Sequence, residues 1–599
     1  MSGLAWSPAA AGWIAAAAVL WPLALGLAAF WRVTAPAAVR VAPWAALPAV
    51  ALVIGSRDAW VIDVPWLFLG ARVGLDFAGR VFLLLGALVW CCAGIAARPA
   101  MRTDAHPARF FAFFLLSMAG SLGLPLARDA ATFYVLFALM SLSAYGLVVH
   151  RDDAEARRAG RAYIVFAIVG EVLLVSGLFF AVRTAGTANL DDLPARMLAH
   201  PAGLAAVPLI LLGCGIKAGA VPLHAWLPVS YAAAPLPAAV ALAGTMSKAG
   251  VLGWLRLLPL GHASLVDWSV PMVLAGLAAT FYGVAIGVCQ RDARTALAYS
   301  SVSQIGFMTT AVGLGLITPS GWALLLPAVL VYALHHGLAK AALFLTTGVP
   351  GPGGTAPARR SAAVVAAVAL GLSLAGMTLT SGAAAKAALK DAIGASGAPS
   401  AGEIVSVLSL AAIGTTLLMA RVVWLLGVPA AGRAVGAHRN VGEAAGQGGP
   451  PVVAWTLAVG LSLAAPWALM RGLTRPSAAW SMAGLPYILA GAALAGIVVW
   501  LSMRGWWRWR PNVPAGDVLI PLEWAAARAW ALAAAKPAPH GEVHPAEPDA
   551  VPAAGGVPAA PLLERALLRW PVYGLTVLAL LAAVAALLVL GAARSGRLS

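Results

Sequence analysis

Residues 215–239 read GIKAGAVPLHAWLPVSYAAAPLPAA, and residues 370–391 read LGLSLAGMTLTSGAAAKAALKD. Each stretch sets a lysine, Lys217 or Lys386, in an apolar run that prolines or glycines interrupt. Pro222, Pro228, Pro235 and Pro237 do so in the first, Gly376 and Gly382 in the second. Such residues break helices and free backbone groups. In lipid this is tolerated only where the backbone is buried in protein or lines a cavity. Paired interruptions in two halves of one chain are a sequence signature of a transporter site.

The surroundings supply the membrane. Of the 599 residues, 61% are hydrophobic and only 10% charged, against about 25% charged in a soluble domain, and mean hydropathy is +0.88. Apolar runs of about 20 residues, the length that crosses a bilayer as a helix, recur from end to end. They are too long and continuous for barrel strands, so the fold class is an all-α polytopic membrane protein with about 14–16 transmembrane helices. Ala9–Phe30 is long enough to span and has no basic segment before it, so it reads as a first span and not as a cleavable signal.

Seven regions follow along the chain. Residues 1–109 hold N-terminal spans, with Trp60–Asp76 alternating like an extracytoplasmic hairpin. Residues 110–258 and 270–426 each carry spans around one broken segment, and 451–510 add further spans. Residues 516–536 place Leu519, Leu522, Ala526, Trp530 and Ala533 at helical spacing, which predicts a short amphipathic surface helix. At about 1.5 Å per residue it would reach roughly 30 Å. A Pro/Ala-rich linker (537–561) and a last span (562–599) complete the series.

The formal charge of +17 comes from arginines grouped in alternate loops, such as Arg157, Arg158 and Arg161, or Arg291 and Arg294. The positive-inside rule puts those loops in the cytoplasm and the N-terminus outside, across a bacterial inner membrane. No aromatic-interleaved basic stripe suggests nucleic acid. Cys91, Cys92, Cys214 and Cys289 show no paired spacing, so no disulfide, zinc or iron–sulfur site is expected. No cofactor motif is present, and no phosphate-binding loop.

Lysine usage separates function from topology. Only six of the 39 basic residues are lysines, and five of them, Lys217, Lys248, Lys340, Lys386 and Lys390, fall in or at the ends of apolar spans. Codon bias explains arginine in the loops but not lysine in the spans. A charge at mid-membrane costs about 2.5–3.5 kcal/mol on insertion scales, so such residues usually serve function. A desolvated ammonium can release its proton, whereas a guanidinium cannot. These lysines therefore read as reversible proton carriers. His336 and Lys340 share a helix face, as do Lys386 and Lys390. His335 and His336 alone would pass for satisfied interior histidines, but beside Lys340 they read as relay groups. His224 fits a relay or a structural cap. Glu171 is the one acid deep in a long span and could face a lysine. Asp129 and Asp391 read as interfacial caps.

Four stretches now carry a family resemblance: 216–258 (IKAGAVPLHAWLPVSYAAAPLPAAVALAGTMSKAGVLGWLRLL), 290–308 (QRDARTALAYSSVSQIGFM), 335–348 (HHGLAKAALFLTTG) and 373–389 (SLAGMTLTSGAAAKAAL). Over roughly 60–510 the chain resembles the antiporter-like membrane subunits of respiratory complex I, of hydrogenase-4 and formate hydrogenlyase type complexes, and of multisubunit Na⁺/H⁺ antiporters. The resemblance implies two inverted five-helix repeats, each with a broken helix. It also implies a midplane polar axis through Lys217, Lys248, His336, Lys340 and Lys386. Two family acids are missing. The fifth-span glutamate falls on Ala138, for which Glu171 is the substitute to test against Lys217, and the acid after W-L-P falls on Val229.

The expected function is an H⁺-translocating subunit of a larger membrane complex, driven by a redox partner module such as a complex-I-like oxidoreductase or hydrogenase. The chain itself has no redox centre. The other reading is a cation/proton antiporter, with Na⁺ as an alternative ion, or a bicarbonate-uptake subunit without redox chemistry. Partners would be other membrane subunits, a peripheral module and the lipid bilayer.

Overall fold

A computed structural model describes residues 6–56, 58–68, 70–349, 357–427, 452–470, 482–504 and 513–534. The linker at 537–561, the last span at 562–599 and Lys536 lie outside the described residues. The helices in chain order begin with α1 (Pro8–Ala28), α2 (Ala35–Val41), α3 (Leu47–Gly55), α4 (Phe77–Ala100), α5 (Pro107–Gly123), α6 (Ala130–Val148) and α7 (Ala154–Ala185). Then come α8 (Leu193–Arg196), α9 (Ala206–Ala218), α10 (Trp226–Ala233), α11 (Leu236–Ala241), α12 (Ser247–Leu257), α13 (Val266–Val288) and α14 (Ala293–Ile317). The series ends with α15 (Trp322–Gly348), α16 (Pro357–Ala375), α17 (Ser381–Gly394), α18 (Ala401–Gly427), α19 (Val452–Met470), α20 (Leu485–Met503) and α21 (Leu519–Ala534).

Among the described residues, thirteen segments are long and apolar enough to cross a membrane, and Val452–Trp467 and Leu485–Leu501 form shorter apolar helices. The chain is therefore an α-helical polytopic membrane protein. Its one sheet among the described residues is a hairpin, β1 (Trp60–Val64) against β2 (Ala71–Leu75), antiparallel with Trp60 opposite Leu75.

Helix starts follow local chemistry. Asp76, Asp129, Asp153 and Asp292 each sit at an N-cap and accept a backbone N–H three residues on. That satisfies one of the orphan donors of a first turn. Asp129 also accepts from the Arg72 backbone N–H at 2.7 Å, which ties the hairpin to α6. Asp76 holds both Arg256 and Arg128, at 2.6 and 2.9 Å, so one carboxylate joins α4 to the ends of two other elements.

The layering is concentric. Helices α5, α6, α11, α12 and α14 are almost wholly buried, whereas α7 and α13 turn apolar side chains such as Val165, Ile168, Phe179 and Leu274 outward. Such a face suits lipid tails or a neighbouring subunit, and polar groups must then sit in the inner layer.

Both interrupted stretches end a helix inside the protein. As the prolines and glycines predict, each is two helices, α9 with α10 and α16 with α17. Gly219 (φ +75°) and Gly376 (φ +94°) terminate the first half of each, a left-handed conformation that glycine adopts without the Cβ penalty. The freed carbonyls find side-chain donors. Trp226 Nε1 donates to Ile216 O at 2.8 Å, and Lys386 Nζ donates to Ala375 O at 3.3 Å. A third irregularity, a π-turn at Leu242–Met246, separates α11 from α12.

Candidate functional site

Lys217 lies on the last turn of α9, beside the first break, and is 4% exposed. Its Nζ donates to Ser141 Oγ on α6 and to Tyr163 Oη on α7, the latter at 3.4 Å. The rings of Phe137, Tyr163 and Trp226 surround the amine at 5.6, 5.4 and 5.9 Å. Ring faces at this range each stabilise a desolvated cation by about 0.5–2 kcal/mol.

Glu171, on α7, is buried, and neither carboxyl oxygen has a hydrogen-bond partner of normal geometry. Its electrostatic neighbours are Lys217 and the Ser141 hydroxyl. No direct ion pair joins Glu171 and Lys217 among the described residues. Ser141, one turn beyond Ala138 on α6, stands beside both.

Lys248 is fully buried at the start of α12 and donates to Ala243 O at 2.6 Å. A π-turn shifts backbone bonding by one residue and leaves a carbonyl to be satisfied from outside, and the amine fills that need. Between the first two lysines stands Tyr163, whose hydroxyl is 3.9 Å from Met246 Sδ.

Lys340, on α15, donates to Leu297 O of α14 at 2.9 Å. His336, one turn earlier, is wholly buried with both ring nitrogens unpartnered, and it interacts electrostatically with Lys248, Lys340, His335 and Lys386. His335 Nδ1 lies 3.0 Å from Ser381 Oγ, and its Nε2 has no partner.

Lys386 Nζ stands 5.1 Å from the centre of the Phe307 ring. Lys390, a turn later and half-buried, donates to Ser409 Oγ of α18 at 3.2 Å. Lys386, Lys390, Gly376 and Ser409 line a cavity of about 30 Å³, room for at least one water.

His224 is apart from this group. It is buried in the turn between α9 and α10, with Nε2 3.1 Å from Tyr282 Oη on α13 and Nδ1 unpartnered. Tyr282 in turn meets Asp517, a residue outside the sequence-derived set. Ser141, Tyr163, Ser381 and Ser409 were missed as well. No spacing marks them, because each meets its lysine or histidine only through tertiary packing. No cluster of three or more His, Cys, Asp or Glu with metal-binding potential occurs among the described residues.

Residues 127–351 match the family described as NADH:quinone oxidoreductase/Mrp antiporter, TM. Hydrogenase-4 component B of Escherichia coli (strain K12) is 32% identical over 296 residues, covering 47% of this chain and 44% of that protein. NADH-quinone oxidoreductase subunit N of Desulforudis audaxviator is 28% identical over 292 residues, covering 47% of this chain and 56% of that protein. A Na(+)/H(+) antiporter subunit of Alkalihalophilus pseudofirmus is 28% identical over 278 residues, covering 46% and 55%. The chain thus spans about half the length of the curated relatives it matches.

Among solved structures, the Mrp complex from Dietzia sp. DQ12-45-1b matches with TM-score 0.65 and 21% identity, over 88% of this chain and 60% of that one. The archaeal membrane-bound sulfane sulfur reductase matches with TM-score 0.62 and 19% identity, over 82% and 99%. At these identities the shared property is the fold. The family match ends before Lys386 and Lys390, whereas the similarity of fold extends over most of the chain. Over residues 127–351 the chain is therefore similar to antiporter-like membrane subunits of the complex I, hydrogenase-4 and Mrp type.

Proposed function

We propose that this chain translocates protons through Lys217, Lys248, His336, Lys340, His335 and Lys386, as one subunit of a larger membrane complex. The first antiporter-like repeat is assigned to 110–258 and the second to 270–426. The observation that carries the reading is the set of partners the buried amines have. Lys248, Lys340 and Lys386 donate to backbone carbonyls, and Lys217 donates to hydroxyls. None of the four has a carboxylate in direct contact among the described residues. Amines kept for helix association would be expected to face carboxylates.

His336, with both nitrogens open and four titratable neighbours, suits transfer between the two halves. Like charges about 4 Å apart repel by roughly 4 kcal/mol at an effective dielectric of 20. Loading one site therefore tends to discharge the next, and a disturbance at one end moves along the row. Glu171 modulates Lys217 across Ser141. Lys390 and the cavity beside it provide an opening toward water, with His224 as the corresponding group at the first break.

Driving energy comes from a partner. Moving one charge through 100 mV takes about 2.3 kcal/mol, and the chain has no redox motif of its own. The first choice of partner is a redox module in a bacterial inner membrane, with the N-terminus outside. Ala138, where the resemblance expects a glutamate, favours a second reading: a cation/proton or bicarbonate-linked transporter without redox chemistry. The subunit composition of the purified native assembly separates the two.

The site claim is tested with Lys217→Ala and Lys386→Ala in inverted membrane vesicles that contain the assembly. Each variant should lose ΔpH formation or antiport while the subunit stays in the complex. Full activity in both would end the lysine reading.

A further inference from the structure

The segment ahead of α21 reaches back across the bundle. A Cβ added at Gly516 would come 2.9 Å from Val229 Cγ1, so the backbone of this segment lies directly on α10. Farther along, Glu523 takes a bidentate pair from Arg158 of α7, at 3.2 and 3.1 Å. Between these points Asp517 turns inward. Its Oδ1 accepts from Tyr299 Oη at 2.6 Å, and its Oδ2 accepts from Tyr282 Oη. Tyr282 Oη is in turn 3.1 Å from His224 Nε2.

Four features mark this as more than an anchor. No lysine or arginine pairs with Asp517 among the described residues, so its carboxylate is held by two phenols, weak acids that can relay a proton. Burial is graded along the contacts, from partly buried Asp517 to His224 at 1% exposure. The far ring nitrogen of His224 is buried, with no hydrogen-bond partner of normal geometry and the Pro222 backbone beside the ring, so a proton arriving at Nε2 leaves the ring a donor at Nδ1. Finally, Val229 occupies the position where the family resemblance expects an acid, and the segment lying on Val229 brings one.

We propose that Asp517, with Tyr282 and Tyr299, forms a proton-exchange site that serves His224 at the first broken helix. The C-terminal segment thereby supplies the carboxylate that α10 lacks. This rests on the proton-translocation reading above. In the inward step, a hydronium ion protonates Asp517 and leaves as water. The new carboxylic O–H gives its proton to Tyr282 Oη as the Tyr282 proton passes to His224 Nε2. Asp517 returns to carboxylate, Tyr282 stays neutral and His224 becomes imidazolium, so charge and protons balance. The outward step is the reverse.

The test uses inverted vesicles carrying the native complex, with initial ΔpH formation as the rate and subunit retention checked by immunoblot. Asp517→Asn preserves size and can still bond both phenols, one bond reversing as the amide NH2 donates to a phenol oxygen, so a purely structural role would leave the rate largely unchanged. The site predicts a loss of at least about tenfold, the low side of removing a positioned proton-transfer group, with Asp517→Glu retaining most of the rate. Adding Val229→Asp to Asp517→Asn should restore a substantial part of it. A full rate in Asp517→Asn, while Lys217→Ala and Lys386→Ala are inactive, overturns the exchange site and leaves the lysine row standing. Full rates in all three overturn the row itself. Loss in Asp517→Asn without rescue by Asp517→Glu or by Val229→Asp also overturns the exchange role.

Discussion

Lys386 Nζ donates to the carbonyl oxygen of Ala375, the residue that ends the half-helix before the second break. One amine thus serves as helix cap and as candidate carrier, and these roles separate on substitution. Lys386→Arg keeps the charge and a donor, but its guanidinium does not deprotonate. The expected result is an assembled complex with transport reduced about 100-fold or more, read as dye quenching in vesicles. A variant with normal transport would show that capping is all this residue does.

Lys248 poses the same question in the driest part of the protein. Lys248→Met removes the donor to Ala243 O, at a cost of about 1–3 kcal/mol for an unmet buried carbonyl. It also relieves the desolvation of an amine, and apolar replacements of buried charges are often neutral or stabilising by about 1–4 kcal/mol. The two effects offset. The thermal midpoint of the detergent-solubilised chain should therefore move little while transport is lost. A large fall in the midpoint would identify the amine as structural.

Glu171 and Lys217 are electrostatic neighbours without a direct ion pair, and Ser141 stands by both. Glu171→Gln should slow transport by about tenfold or more, and Ser141→Ala by less, since it removes a mediator and not a charge. If Glu171→Gln transports at the full rate while Lys217→Ala is inactive, the pairing is wrong.

At the bundle's edge, outside the spans, His150 Nε2 lies 3.2 Å from Asp104 Oδ2. The His150 ring beside it holds the Asp104 carboxyl down to about 2, from an ordinary 3.8. Burial pushes His150 below its ordinary 6.5, against the opposing pull of Asp104. Both folded-state values are depressed, so both groups stabilise the fold at neutral pH and lose that contribution as pH falls. His150 begins to lose it below about 6.5 and Asp104 between about 3.8 and 2. Urea midpoints measured across pH should drop through these windows, and Asp104→Asn should flatten the lower one.

The membrane fold was legible because lipid allows few solutions. Apolar runs of spanning length, with glycines and prolines beside lysines, leave little besides helices with two interruptions. What the runs did not disclose was where continuity ends. The interruptions were visible in 215–239 and 370–391, but not that Gly219 and Gly376 are the residues that take positive φ and close a helix in mid-protein. The lysines stood out because arginine is the chain's default cation. Their partners were hidden for the opposite reason. Ser141, Ser381 and Ser409 are ordinary residues in apolar helices, and Asp517 looks like one more acid before a surface helix. Only packing brings it to Tyr282 and Tyr299, 235 and 218 residues away in sequence.

The π-turn at Leu242–Met246 decides what the amine of Lys248 finds at the end of its reach. A regular α-helix bonds each N–H four residues back, and a π-turn accommodates one surplus residue. Deleting a single residue from that turn would close it as an ordinary α-turn and return the carbonyl that Lys248 now meets, that of Ala243, to a backbone partner. The hydrogen bond of this lysine therefore depends on one extra peptide unit upstream.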